Sequence, residues 1–158
     1  MKRLSIRIFS VFVTAICCVS LFLFGACEKE GDIQSFYNKV IESRQCLDIV
    51  ADDIYSYWYD AIYEEKYGGD INKAILYAQL ENSENLDKIK ANESEIQLLY
   101  KEVRDSHYSL EVKAVMSAYT DYYEFVVNVS GSFKSYSADK ETLKKALASA
   151  LKDLALEI

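Results

Sequence analysis

Apolar residues recur every seven positions at Ile33, Val40, Leu47, Ile54 and Ala61, with Phe36, Val50 and Tyr57 at the companion positions. A seam of this kind lays one face of a helix against a core. It predicts a helix from about Asp32 to Lys66, stopped by Gly68-Gly69, where positive φ carries no steric cost. Tyr55, Tyr57 and Tyr59 alternate with Ser56 and Trp58, and aromatics favour strands. The seven-residue repeat continues through them and no turn residue flanks them. The expectation is helix.

Asp70 is a good N-cap for a second helix with Ala74, Ile75 and Ala78 on one face. The polar run Glu81, Asn82, Ser83, Glu84, Asn85 breaks the pattern, which resumes with Leu86, Ile89, Ile96, Leu99 and Val103. Asp105-Ser106 should cap a third helix, whose seam is Val112, Val115, Tyr119, Tyr122, Val126 and Val129. Ser130-Gly131-Ser132 ends that helix. Phe133 and Tyr136 then fall in a loop that folds back on the core. Asp139 caps the last helix, with Leu143, Leu147, Ala150, Leu151 and Leu154 inward and Lys140, Lys144, Lys145 and Lys152 outward. Short connections favour antiparallel neighbours. The fold class expected is all-α, an up-and-down bundle of about four helices, the second broken near 82–85.

The chain has no proline, and one run is apolar without helical periodicity. Ile8 to Ala26 follows Lys2, Arg3 and Arg7, and Glu28 and Glu30 come directly after Cys27. A charged n-region, an apolar h-region and small residues before a cut make a secretory signal. The ending Phe24-Gly25-Ala26-Cys27 resembles the lipobox of bacterial lipoproteins, with Phe24 where Leu is usual and Gly25 where Ala or Ser is usual. The resemblance implies cleavage before Cys27 and lipid, palmitate included, on its thiol, which would place the protein on the extracytoplasmic face of the cell membrane. An uncleaved anchor fits the length of the apolar run, and an ordinary cut after Ala26 would give a soluble secreted protein. Lipidation is the preferred reading. The chain then divides into a signal peptide (1–26), a short acidic tether (27–31) and a helical domain (32–158). The four residues after Cys27 reach at most ~14 Å when extended.

Subtracting the signal changes charge and cysteine chemistry together. The full chain has 18 Lys and Arg against 25 Asp and Glu; without the three bases of the signal it has 15 against 25, a net charge of −10. Such acidity excludes a nucleic-acid partner, whose phosphates need a basic surface. It leaves attachment to the membrane to the lipid on Cys27. Of four cysteines, Cys17 and Cys18 leave with the signal and Cys27 is consumed by lipid. Cys46 remains alone, a small core or boundary residue rather than part of a disulfide framework.

No catalytic residue, cofactor-binding residue or metal site is predicted. A di-iron carboxylate bundle needs Glu-x-x-His pairs. This chain has one histidine, His107, with Arg104 where the Glu would stand. Asp52-Asp53 and Glu64-Glu65 are adjacent pairs, and neighbouring helix residues point about 100° apart, so neither forms a dyad. They read as solvated acids. Tyrosines and Trp58 crowd the end of the first helix too densely for all to face a core. Tyr57, Trp58 and Tyr122 are expected inward. Tyr55, Tyr59 and Tyr63 are expected outward as a contact surface for a protein or envelope component.

A looser likeness spans most of the helical domain. Trp58, Ile62-Tyr63, the tyrosine-rich third helix, Ser130-Gly131-Ser132-Phe133 and Ser135-Tyr136 resemble a pattern in short uncharacterised helical proteins of Gram-positive Firmicutes, with Val129 here in place of Pro. It implies source and helical fold, and no activity. The format, small, anchored and helical, is similar to that of phage superinfection-exclusion lipoproteins. The expectation is a non-catalytic binding or structural lipoprotein of the cell envelope, with superinfection exclusion as one alternative and a hydrolase or enzyme accessory using surface carboxylates as a remote one.

Overall fold

The computed structural model describes the backbone of residues 2–158 and the side chains of residues 32–158. The predicted signal, tether and lipidated Cys27 lie outside the described side chains. The fold is all-α: α1 (Lys2–Tyr63), α2 (Ile71–Glu81), α3 (Ser83–Val103), α4 (Ser109–Val127) and α5 (Phe133–Glu157), with one 3-10 turn at Lys66–Gly69. Five helices stand where about four were expected, because the predicted break separates α2 from α3 at a single residue, Asn82.

From Asp32 onward α1 is the central element, touching α2, α3, α4 and α5. Pairs such as Phe36–Tyr100 and Lys39–Glu95 against Asp53–Asn82 show that α1 runs antiparallel to α2 and α3. Asp48–Lys144 and Ala51–Tyr136 show the same for α5. The predicted seam is buried at Ile33, Phe36, Val40, Leu47, Val50, Ile54 and Ala61. Ser43 shares that face and is fully buried, held by a 3.1 Å hydrogen bond with the Tyr119 hydroxyl.

The exception is Tyr57, which is half-buried, while Trp58 beside it is buried. An α-helix slips about 20° per heptad against a strict seven-residue repeat. Three heptads after Phe36 the slip is about 60°, so the inward position passes to the next residue. Tyr57 instead stacks on Tyr67 with ring centroids 5.3 Å apart and donates its hydroxyl to Glu81.

The first helix ends at Tyr63, ahead of the expected glycines. Glu65 already adopts φ 52°, and Tyr67, Gly68 and Gly69 follow with positive φ. Asp70 caps α2 as predicted, its side chain accepting from the Lys73 amide. Asn82 is buried at the α2–α3 break. Its amide nitrogen donates to Asp53 Oδ2 at 2.8 Å and to the Ala78 carbonyl at 3.0 Å, which ties the break to α1.

Two helix starts differ from the sequence reading. The helix expected to be capped by Asp105-Ser106 begins later, at Ser109, with Tyr108 as an N-cap that makes no side-chain bond. The last helix begins six residues before Asp139, at Phe133, so Phe133 and Tyr136 are helical rather than looped. The cause is a capping box. Ser132 accepts from the Ser135 amide, and the Ser135 hydroxyl accepts from the Ser132 amide, so two otherwise orphaned donors satisfy each other's partners. Gly131 precedes it with φ +89°, and a Cβ there would lie 2.9 Å from the Ser135 hydroxyl. Ser132→Ala should therefore lower stability by about 1 kcal/mol in a denaturant titration, and a neutral outcome would show that the box does not hold this end.

Candidate functional site

The densest aromatic chemistry lies where α1 ends, α2 begins and α4 turns into α5. Tyr55, Tyr59 and Tyr63 follow one another at i, i+4 spacing, which puts them on one stripe of the helix. Their ring centroids are 6.5 Å apart for Tyr55–Tyr59 and 4.7 Å for Tyr59–Tyr63. Phe133, carried in by the start of α5, lies against all three at 5.1, 6.2 and 6.0 Å. It is also 6.0 Å from Trp58. Tyr59 and Tyr63 are 41 % and 59 % exposed, as a contact surface requires.

Tyr55 departs from its expected outward place. It is half-buried, stacked on Phe133, and the Lys140 ammonium sits 4.5 Å from its ring centroid. A cation over a tyrosine face is worth about 1–2 kcal/mol as water is excluded. The exposed part of the ladder is therefore Tyr59 and Tyr63, with Tyr55 as its foundation.

Lys140 itself is a correction. It was expected in solvent and is buried, with Asp52 Oδ1 2.6 Å from its ammonium. Lys144, also expected outward, is half-buried and reaches Asp52 at 3.3 Å and Asp48 at 3.6 Å. Asp48 in turn accepts from the Tyr122 hydroxyl at 2.9 Å. Burial acting alone would push the Asp52 carboxyl up, but the ammoniums of Lys140 and Lys144 outweigh it and hold it below the usual carboxylate range. Burial, reinforced by the Asp48 charge, raises the Tyr122 phenol far above its ordinary range, and burial, which outweighs the hydrogen bond with Ser43, raises Tyr119 to about 12. These phenols are fixed hydrogen-bonding groups, not acids poised to react.

The Asp52-Asp53 pair divides as helix geometry requires. Asp52 faces α5, whereas Asp53 accepts from Asn82 at the α2–α3 break. The two acids thus serve as clamps about 100° apart around α1, and Asp52 remains half exposed. Glu64 and Glu65 are exposed, as is His107, which packs edge-on against Tyr108 at 5.4 Å. Cys46 is a free, half-buried thiol. Among the described residues no group of three or more His, Cys, Asp or Glu is placed to hold a metal ion. Among those same residues no helix is long and apolar enough to cross a membrane.

Sequence reasoning did not find the cavity beside the ladder. About 500 Å³ in volume, it is bounded by Trp58 and Ile62 of α1, Ile71, Asn72 and Ile75 of α2, and residues 129–133. Trp58 is 4 % exposed and its indole nitrogen has no hydrogen-bond partner. A buried donor in that condition costs about 1–3 kcal/mol. Ile62 and Ile71, which belong to no predicted seam, are exposed and line this cavity. A smaller hollow of about 220 Å³, between Ile33, Gln34, Tyr108 and Ile158, lies at the other end of the bundle.

Comparison with protein-family models, with known proteins and with solved structures gives no match. The functional reading therefore rests on the chain's own residues.

Proposed function

We propose that this is a lipoprotein held on the extracytoplasmic face of the cell membrane by lipid on Cys27, and that its helical domain binds a protein or envelope component without catalysing a reaction. With α2 and α3 taken as one broken helix, that domain is an up-and-down four-helix bundle. The anchor is supported by the basic n-region, the apolar h-region and the Gly25-Ala26-Cys27 ending. The binding role is carried by one observation, the exposed Tyr59–Tyr63 ladder backed by Phe133. Aromatic rings supported from behind give large contact area at little conformational cost.

The ladder also has a defined reach. Tyr59 lies 27 residues beyond Asp32 on a continuous helix, which is about 40 Å at 1.5 Å per residue. A domain tethered at the Asp32 end can hold its aromatic end up to that distance from the lipid. With a net charge of −10 beyond the signal, it is repelled by anionic headgroups.

Cys27→Ser is the direct test. The variant should lose metabolic labelling by palmitate and leave the membrane fraction or accumulate uncut. If the parent chain carries no lipid label and both proteins stay equally membrane-bound and full length, the segment is an uncleaved anchor.

A further inference from the structure

We propose that the cavity beside the aromatic ladder is a binding site for a small ligand with a branched apolar body and a carbonyl or carboxylate oxygen. The site does not depend on the membrane anchor, so its failure would leave that reading standing. A volume of about 500 Å³ falls within the size range of small-ligand clefts. The walls supplied by Ile62, Ile71, Ile75, Val129 and Phe133 are apolar and suit a branched hydrocarbon.

The polar requirement comes from Trp58. An indole N–H is a donor only, and a tryptophan this deeply buried normally finds an acceptor. Here it has none, while the same residue lines the cavity. The other buried side-chain atoms without partners, on Arg44, Asn92 and Ser106, belong to residues that do not line it. An sp² oxygen brought against the indole from the cavity would supply the missing acceptor.

A second set of donors lies at the rim. Ser132 and Phe133 open the 25-residue α5, and the capping box engages only the amides of Ser132 and Ser135. The first amides of a helix point outward and favour negative charge or an acceptor. The Trp58 nitrogen has no surface open to solvent. A ligand oxygen therefore reaches it only when a lining side chain moves aside; among the lining residues Phe133 has its ring 6.0 Å from that of Trp58.

Trp58 is the sole tryptophan of the chain, so its emission reports on this site alone. The protein as it is isolated from cells, in lipid nanodiscs where it is membrane-bound, is titrated with 4-methylpentanoate and with 4-methylpentanamide, exciting where tyrosine does not absorb. A saturable emission change is expected, with half-saturation on the order of 1–10 mM for ligands of this size. Acid preferred over amide would assign the oxygen's charge to the helix start; equal binding would assign recognition to a neutral carbonyl. Ile75→Phe, or Ile71→Phe should the first variant lose helicity, fills the cavity and should abolish saturation. Trp58→Phe, followed by equilibrium dialysis of labelled probe, should weaken binding about tenfold. A signal linear in both probes, or equal affinity in Trp58→Phe, overturns the proposal.

Discussion

Replacing Tyr136 with alanine is expected to lower the free energy of unfolding by about 4 kcal/mol, the scale for emptying an aromatic site in a close-packed core. The ring is 1 % exposed and stacks on Phe125 of α4 at 4.6 Å. Trp58 of α1 lies 5.4 Å away on another side. Its hydroxyl donates to the Ala51 carbonyl at 3.2 Å. One side chain thus joins three helices at the level where the aromatic end begins. Burial pushes its phenol far above the ordinary tyrosine range, so the hydroxyl stays a donor at neutral pH. Tyr136→Phe keeps the ring and should cost only about 1 kcal/mol. Urea titration followed by far-ultraviolet circular dichroism measures both. If the alanine variant fell within 1 kcal/mol of the parent, roughly the effect of a surface change, Tyr136 would belong in the loop that the sequence first suggests.

That contrast shows where sequence pattern carries structural information in this chain. The seven-residue repeat of α1 is strong because seven of its eight predicted seam positions are buried. The eighth, Tyr57, fails for a reason internal to helices, the angular slip of a straight helix against a strict heptad. The start of α5 was illegible for a different reason. Ser130-Gly131-Ser132 is as good a stop as a start, and what decides between them is the reciprocal Ser132–Ser135 bonding. A capping box usually has Glu or Gln at its fourth position; here Ser135 takes that part, and the signal is easily passed over.

The candidate site divides along the same line. Tyr59 and Tyr63 were legible because their exposure follows from their place around one helix. Tyr55 was not, since Phe133 and Lys140, which cover it, come from α5, more than seventy positions along the chain. The cavity was wholly invisible, because its walls come from three separate stretches, and only packing makes neighbours of Trp58, Ile71 and Val129. Periodicity reports which face of a helix is covered. It carries nothing about which side chain of another helix covers it.

Asp52 gives the sharpest electrostatic test. Asp52→Ala is expected to cost about 2 kcal/mol at neutral pH, and Lys140→Met about 1 kcal/mol or less, although both remove the same 2.6 Å contact. The asymmetry follows from burial. The Lys140 side chain is 9 % exposed and that of Asp52 is 50 % exposed. Removing the carboxylate strands a buried ammonium, left with Glu141 at 3.9 Å and the Tyr55 ring. Removing the ammonium leaves a carboxylate that solvent and Lys144 can still satisfy. Breaking a fully buried pair costs about 3–5 kcal/mol, and solvent at Asp52 reduces that figure. The Asp52→Ala/Lys140→Met double variant should then be more stable than the sum of the single losses predicts. The pH dependence has a fixed sign. The folded pKa of Asp52 lies below its unfolded value of about 3.9, so its contribution is complete above about pH 5 and is lost as pH falls through the folded value. Lys144 is shifted up: burial alone would lower it, but Asp48 and Asp52 prevail. Its own titration therefore removes its contribution only above its unfolded pKa of about 10.4, while in acid that contribution goes with the carboxylate charges that hold it. The stability gap between parent and Asp52→Ala should accordingly narrow from neutral pH toward about pH 3. A gap that stays constant in urea titrations across that range would mean that Asp52 holds α5 by packing rather than by charge.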